Sequence, residues 1–166
     1  LHAGANDGLL TGLALALTRW RTDRGSGGAT LVRLEGHGRE EALVAGADLT
    51  STVGWLTAVF PVRLDLPGID VADAMAGGRH AGRAIKAVKE QLRAIPDSGV
   101  GYGMLRYLNP DTATRLPDEL PGQISFNYLG RVDAGAATGP WAPVADVAYV
   151  PTSDLPAMAV IDINAV

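Results

Sequence analysis

The sequence predicts an α/β domain with a mixed sheet and flanking helices, and three observations carry that prediction. Apolar residues recur at helical spacing in two long stretches, residues 9–20 and 82–94. Apolar and polar residues alternate over 31–35 and 123–130, with a further strand pattern over 158–166. The two kinds of segment follow one another without strict order, the pattern of a mixed sheet with helices packed on it.

Asn6 or Asp7 can cap the first helix, whose core-facing residues are Leu9, Leu10, Leu13, Leu17 and Trp20. Arg19 and Arg21 suit the negative end of its dipole. Residues 22–28, rich in glycine, have little to bury and read as a surface loop. Residues 31–35 form a strand, after which Gly36 and Gly38 free the backbone to turn. The pattern over 40–51 is Ala-rich and then oxygen-rich and leaves the conformation open. Residues 53–66 carry Trp55, Leu56, Val59, Phe60, Val62 and Leu64, with Pro61 arguing for an edge strand or a bulge.

Asp70 starts a second helical region with Asp73 at its third position, and Gly77-Gly78 interrupts it. A stronger helix over 82–94 sets Ile85, Val88, Leu92 and Ile95 against a face of Arg83, Lys86, Lys89, Glu90 and Arg93, and is ended by Pro96 and Gly99. His80 reads as an exposed surface residue. Residues 99–103 read as a flexible turn into a short helix carrying Met104, Leu105, Tyr107 and Leu108, closed by Asn109-Pro110-Asp111. A strand over 123–130, a loop over 131–143, a short strand over 147–150 and a last strand over 158–166 without a partner complete the reading.

With 166 residues, 47% of them hydrophobic, the chain can hold one core of useful size. A net charge of −4 and the lack of any basic cluster interleaved with aromatics speak against a nucleic-acid surface. Cysteine is absent, so thiol nucleophiles, thiolate metal sites and disulfides are excluded. The apolar run at 9–17 is shorter than a membrane span and lacks the flanks of a leader, so no membrane role and a cytoplasmic setting are expected. The start at Leu1 and the unfinished last strand read as the ends of an excised segment.

The chemistry concentrates at residues 35–40, Glu-Gly-His-Gly-Arg-Glu, where a carboxylate, an imidazole and a guanidinium stand around two glycines. Glu35 sits where a strand opens into a loop. Burial would raise its pKa and Arg39 would lower it; a structural ion pair with Arg39 is the competing reading. The glycines of 99–103 are not followed by Gly-Lys-Ser/Thr and lack a dinucleotide-binding spacing. Gly36-His37-Gly38 lacks a nucleophilic serine, and His2 and His80 lack metal-ligand spacing, so neither a hydrolase nor a metal site is supported. Asn127 and Tyr128 are neighbours on a strand and must face opposite sides.

Four blocks occur in order: residues 35–40, Ser-Thr-Val-Gly-Trp-Leu-Thr-Ala-Val-Phe-Pro-Val at 51–62, Pro-Asp-Ser-Gly-Val-Gly-Tyr-Gly at 96–103 and Phe-Asn-Tyr-Leu-Gly-Arg at 126–131. Together they resemble the later signature blocks of the epimerization domains of nonribosomal peptide synthetases, a branch of the condensation-domain superfamily. Asn-Asp-Gly-Leu-Leu-Thr at 6–11 resembles the block before them. The resemblance implies a lobe similar to chloramphenicol acetyltransferase, one of two that form a V around a tunnel. It implies inversion at Cα of an aminoacyl or peptidyl thioester held on the 4'-phosphopantetheine of a carrier domain, with no cofactor bound directly. Glu35 matches the family's catalytic glutamate; Arg39, Asn127 and Tyr128 match positions that support the site, Asn127 in positioning or anion stabilisation. His37 is expected to hold the loop.

The family's His-His-x-x-x-Asp-Gly block is absent. The resemblance therefore implies that residues 1–166 are a partial epimerization domain, the C-terminal lobe without the first lobe and the final elements, or else one chain of a protein split between the lobes, and inactive alone. Its implied partners are that first lobe, a peptidyl carrier domain and the neighbouring synthetase modules. A non-catalytic carrier-docking module and an amide-forming condensation domain are the alternatives.

Overall fold

A computed structural model describes residues 2–130 and 157–166 of the chain. The loop expected over 131–143, the strand expected over 147–150 and Arg131 of the last block lie outside the described residues. Helix α1 spans Ala5–Thr22 and starts earlier than the sequence pattern placed it, at Gly4. Asp7 helps from inside the first turn, its carboxylate accepting the Gly4 N–H at 2.8 Å. Leu10, Thr11, Ala14 and Leu15 are the buried residues of α1, whereas Leu9 and Trp20, expected in the core, are exposed. The buried stripe runs one residue past the one the large apolar side chains trace. Trp20 instead carries the Arg24 guanidinium 4.5 Å over its ring.

Strand β1 is Thr30–Gly36 and β2 is Ala58–Leu64. They pair antiparallel, with Leu34 opposite Phe60 and Glu35 opposite Val59. Pro61 lies within β2 on an edge of the sheet, where its missing N–H is tolerated. The first half of the strand expected over 53–66 is loop, with Val53 and Trp55 99% and 90% exposed.

Helix α2, Val71–Met75, begins as expected at Asp70, whose side chain accepts the Asp73 N–H at 3.0 Å. Gly77, at φ +78°, breaks it from α3, which runs Arg79–Arg93, starting before the expected residue 82. His80 explains the early start: its N–H donates to Asp73 Oδ2 at 2.8 Å, and its Nδ1 accepts the Asp70 N–H at 2.9 Å. His80 is half-buried in a helix junction and is not the free surface residue the sequence indicated. Ala84 and Val88 form the buried stripe of α3.

A tight turn, Pro96–Gly99, follows, and the chain is then helical through α4, Val100–Gly103, and a wider turn at Met104–Leu108. Residues 100–103 of the expected flexible glycine turn are thus a helix packed against β2, entered through Gly99, where only glycine fits. Asn109 caps α5, Pro110–Ala113, by accepting the Asp111 N–H at 3.0 Å. It closes one helical stretch and opens the next.

Strands β3, Ile124–Tyr128, and β4, Ile161–Ala165, give the described residues a four-stranded sheet of order β2-β1-β3-β4. β1 pairs parallel with β3, and β3 parallel with β4. The last strand therefore has a partner on one side, contrary to the sequence reading. Val32, Leu34, Phe60, Val62, Leu64, Ile124 and Phe126 make one apolar face, covered by Leu10, Ala14 and Leu15 of α1 and Ala84 and Val88 of α3. This face is the core.

Candidate active site

Strand alternation sends Arg33, Glu35, Ser125, Asn127, Asp162 and Asn164 to the other face, as the registers Arg33 to Ser125, Ser125 to Asp162 and Asn127 to Asn164 establish. Glu35, Asn127 and Asn164 each stand one residue before the end of β1, β3 and β4. They line up at the carboxyl ends of three parallel strands, where open α/β sheets place their ligands.

Glu35 is half-buried and joins no salt bridge or side-chain hydrogen bond among the described residues. Burial, and to a smaller extent the negative charge of Asp162, push its carboxyl above the usual glutamate value. The carboxyl is thereby moved toward the range in which a group can both take and give a proton near neutrality.

Arg39 does not pair with Glu35, so the competing ion-pair reading falls. Its guanidinium donates to the carbonyls of Leu49 at 2.6 Å and Thr52 at 2.9 Å. Glu41 accepts the Leu49 N–H at 2.6 Å, which ties the same loop from the other side. His37 is an exposed strut, its Nδ1 accepting the Arg39 N–H at 2.9 Å and its Nε2 lying 3.6 Å from Glu40. Gly38, at φ +67°, lies so close to the Leu56 carbonyl that no Cβ fits there. The loop after Glu35 is held by its own side chains and leaves the carboxylate unengaged.

Asn127 shares the face of Glu35. Tyr128 does not: it packs against the apolar cluster on the far side. Arg33 also shares the polar face and is anchored by donating to the Leu120 carbonyl at 2.5 Å. Two grooves of the described surface, about 770 Å³ beside Phe60 and Tyr102 and about 850 Å³ beside Trp20 and Leu31, are lined by neither Glu35 nor Asn127. Asp162 and Asn164 escaped the sequence reading. The alternation at 161–164 marks them as one polar face, but only the parallel pairing brings them beside Asn127.

Residues 2–141 match the family described as the condensation domain. The chain belongs to that family. It is a member of the condensation-domain superfamily of nonribosomal peptide synthetases, and its α/β lobe with a mixed sheet is the expected fold, similar to chloramphenicol acetyltransferase. It is 47% identical over 130 residues to one of the linear gramicidin synthase proteins of Brevibacillus parabrevis, covering 77% of this chain and 2% of that protein. It is 48% identical over 136 residues to chondramide synthase cmdD of Chondromyces crocatus, covering 81% and 3%. Among solved structures it resembles the epimerization domain from the third module of tyrocidine synthetase B, with 38% identity, a TM-score of 0.60 and coverage of 76% of this chain and 26% of that one. This condensation-family chain thus spans a few per cent of the synthetases it matches and about a quarter of the solved domain. No described helix is long and apolar enough to cross a membrane.

Proposed function

We propose that residues 1–166 are the C-terminal lobe of an epimerization domain. In this reading Glu35 exchanges the Cα proton of an aminoacyl or peptidyl thioester on a carrier domain's 4'-phosphopantetheine. The observation that carries the reading is the half-buried, unpaired carboxylate of Glu35 on the same sheet face as Asn127. Removal of the Cα proton leaves an enolate-like thioester anion, and return of a proton to the opposite face inverts the centre with no net change in atoms. One of these transfers belongs to Glu35 and the other to a histidine of the first lobe. The Asn127 amide can donate a hydrogen bond to the enolate oxygen, the place where charge develops.

Arg39 acts at a distance, as the strut of the loop behind Glu35. Tyr128 acts from the core face, seating the strand that presents Asn127. The partners in this reading are the first lobe, a peptidyl carrier domain and the adjoining modules, and the lobe alone is inactive. The four ordered sequence blocks and the likeness to an epimerization domain support epimerization over amide formation.

The test supplies the complete domain with its L-loaded carrier, then releases the acyl group for chiral analysis. A mixture of L and D products, with solvent deuterium at Cα, is expected. Retention of pure L product, or a new peptide bond when a second loaded carrier is added, would overturn the reading.

A further inference from the structure

Phe60 lies opposite Leu34 on the core face, and two glycines from distant parts of the chain approach its ring, both near Cε1. One is Gly36, the residue after Glu35, where a Cβ would stand 3.5 Å from the ring. The other is Gly99, at φ +84°, whose backbone comes so near that any Cβ would overlap the ring. Asp97 and Ser98, at φ 50° and 51°, precede it; among the described residues they are the two non-glycine residues with left-handed φ. Such backbone is disfavoured for a residue with a side chain and persists where its surroundings over-determine it. The Ser98 carbonyl lies 3.8 Å from the same Cβ position at Gly36. The turn at 97–99 therefore lies beside the end of β1 and bears on it through Phe60.

We propose that Gly99 and Phe60 are positioning residues: the ring, packed tightly against the left-handed turn and touching the Gly36 position, fixes the strand end from which Glu35 reaches its substrate. The catalytic consequence rests on the role proposed for Glu35, whereas the packing itself does not. The two left-handed non-glycine residues of the described chain stand in the turn that packs on Phe60 beside Gly36, the residue after the half-buried, unpartnered Glu35. A looser end of β1 would let that carboxylate drift, and displacements near 1 Å cost rate without costing binding.

The test is a double-mutant cycle in the complete domain with loaded carrier, using Gly99→Ala, Phe60→Leu and the pair. Rates are read as solvent-deuterium exchange at Cα, and the Glu35 carboxyl is titrated by carbon-detected NMR. Each single variant is expected to lower kcat about tenfold or more, with KM for the carrier within about twofold. In the pair the added methyl no longer overlaps the ring, so the pair should lose clearly less kcat than the two single losses multiplied, while the left-handed φ of residue 99 keeps it below wild type. The charged groups on Glu35's side are Arg33 on its own strand, Arg63 on β2 and Asp162 on β4, with His37 in the bend. None of these is changed by the variants, and Asp97 of the turn moves only with Gly99→Ala, so a midpoint moved in both single variants reports a changed setting of the Glu35 carboxyl. Wild-type kcat and midpoint in both singles would overturn the positioning role, as would single losses that simply multiply in the pair. A Glu35→Gln control separates the two claims: exchange that survives there removes Glu35 from the chemistry, while the midpoints still judge the packing.

Discussion

The two faces of the sheet are built from alternate residues of the same four strands, and they do different work. On one face Phe126, Leu34 and Val62 are buried under α1 and α3. On the other, Glu35, Asn127 and Asp162 are left partly open. Each neighbouring pair along a strand thus divides between folding and chemistry. A residue's place in sequence says little about its role until the face is known.

The neighbours Phe126 and Asn127 give the sharpest way to break this contrast. Phe126→Ala should cost about 3–5 kcal/mol of unfolding free energy in urea titrations, the usual loss for a buried aromatic. Asn127→Ala should change stability by no more than about 0.5 kcal/mol, yet lower Cα exchange in the complete domain. Equal stability losses at the two positions would dissolve the distinction between faces.

Arg39→Ala comes next in size. It removes two charge-assisted bonds to the Leu49 and Thr52 carbonyls, for a cost of about 1–3 kcal/mol. Protease cleavage between residues 49 and 57 should quicken before global unfolding does, and unchanged cleavage would show that the loop is held otherwise.

Glu35→Gln tests the polar face through stability. A glutamate whose folded pKa is raised binds more protons folded than unfolded. Its ionisation therefore costs stability as pH climbs from the usual glutamate value to the raised one. The variant should melt higher than wild type at neutral pH and show no such gain below the usual glutamate value. A melting temperature lowered at neutral pH would mean that the charged carboxylate is favoured in the fold. Asp162→Asn should have the smallest effect: it removes the lesser cause of the shift and moves the Glu35 midpoint down, toward the usual value, in an NMR titration. A midpoint that stays or rises would detach β4 from the site.

Local signals were readable wherever a side chain and its partner lie close in sequence. Asp70 capping α2, Pro61 on an edge strand and the alternation around Glu35 are of that kind. What escaped depends on distant packing. The glycines at 99, 101 and 103 signal a loop because nothing local favours helix, yet the segment is helical from Val100, directly after Gly99 meets Phe60. His80 looked free because its cap partners belong to the preceding helix. Glu35 was legible as a carboxylate at a bend. Its freedom from Arg39 was not, since that guanidinium is taken by carbonyls ten and more residues along.

The most direct measurement is deuterium wash-in at Cα of a carrier-bound L-aminoacyl thioester, comparing the complete domain with its Glu35→Gln form after both are shown to be folded. Loss of exchange by about 100-fold or more is predicted for removal of a proton-transfer group. Exchange within a few-fold of wild type would contradict the account.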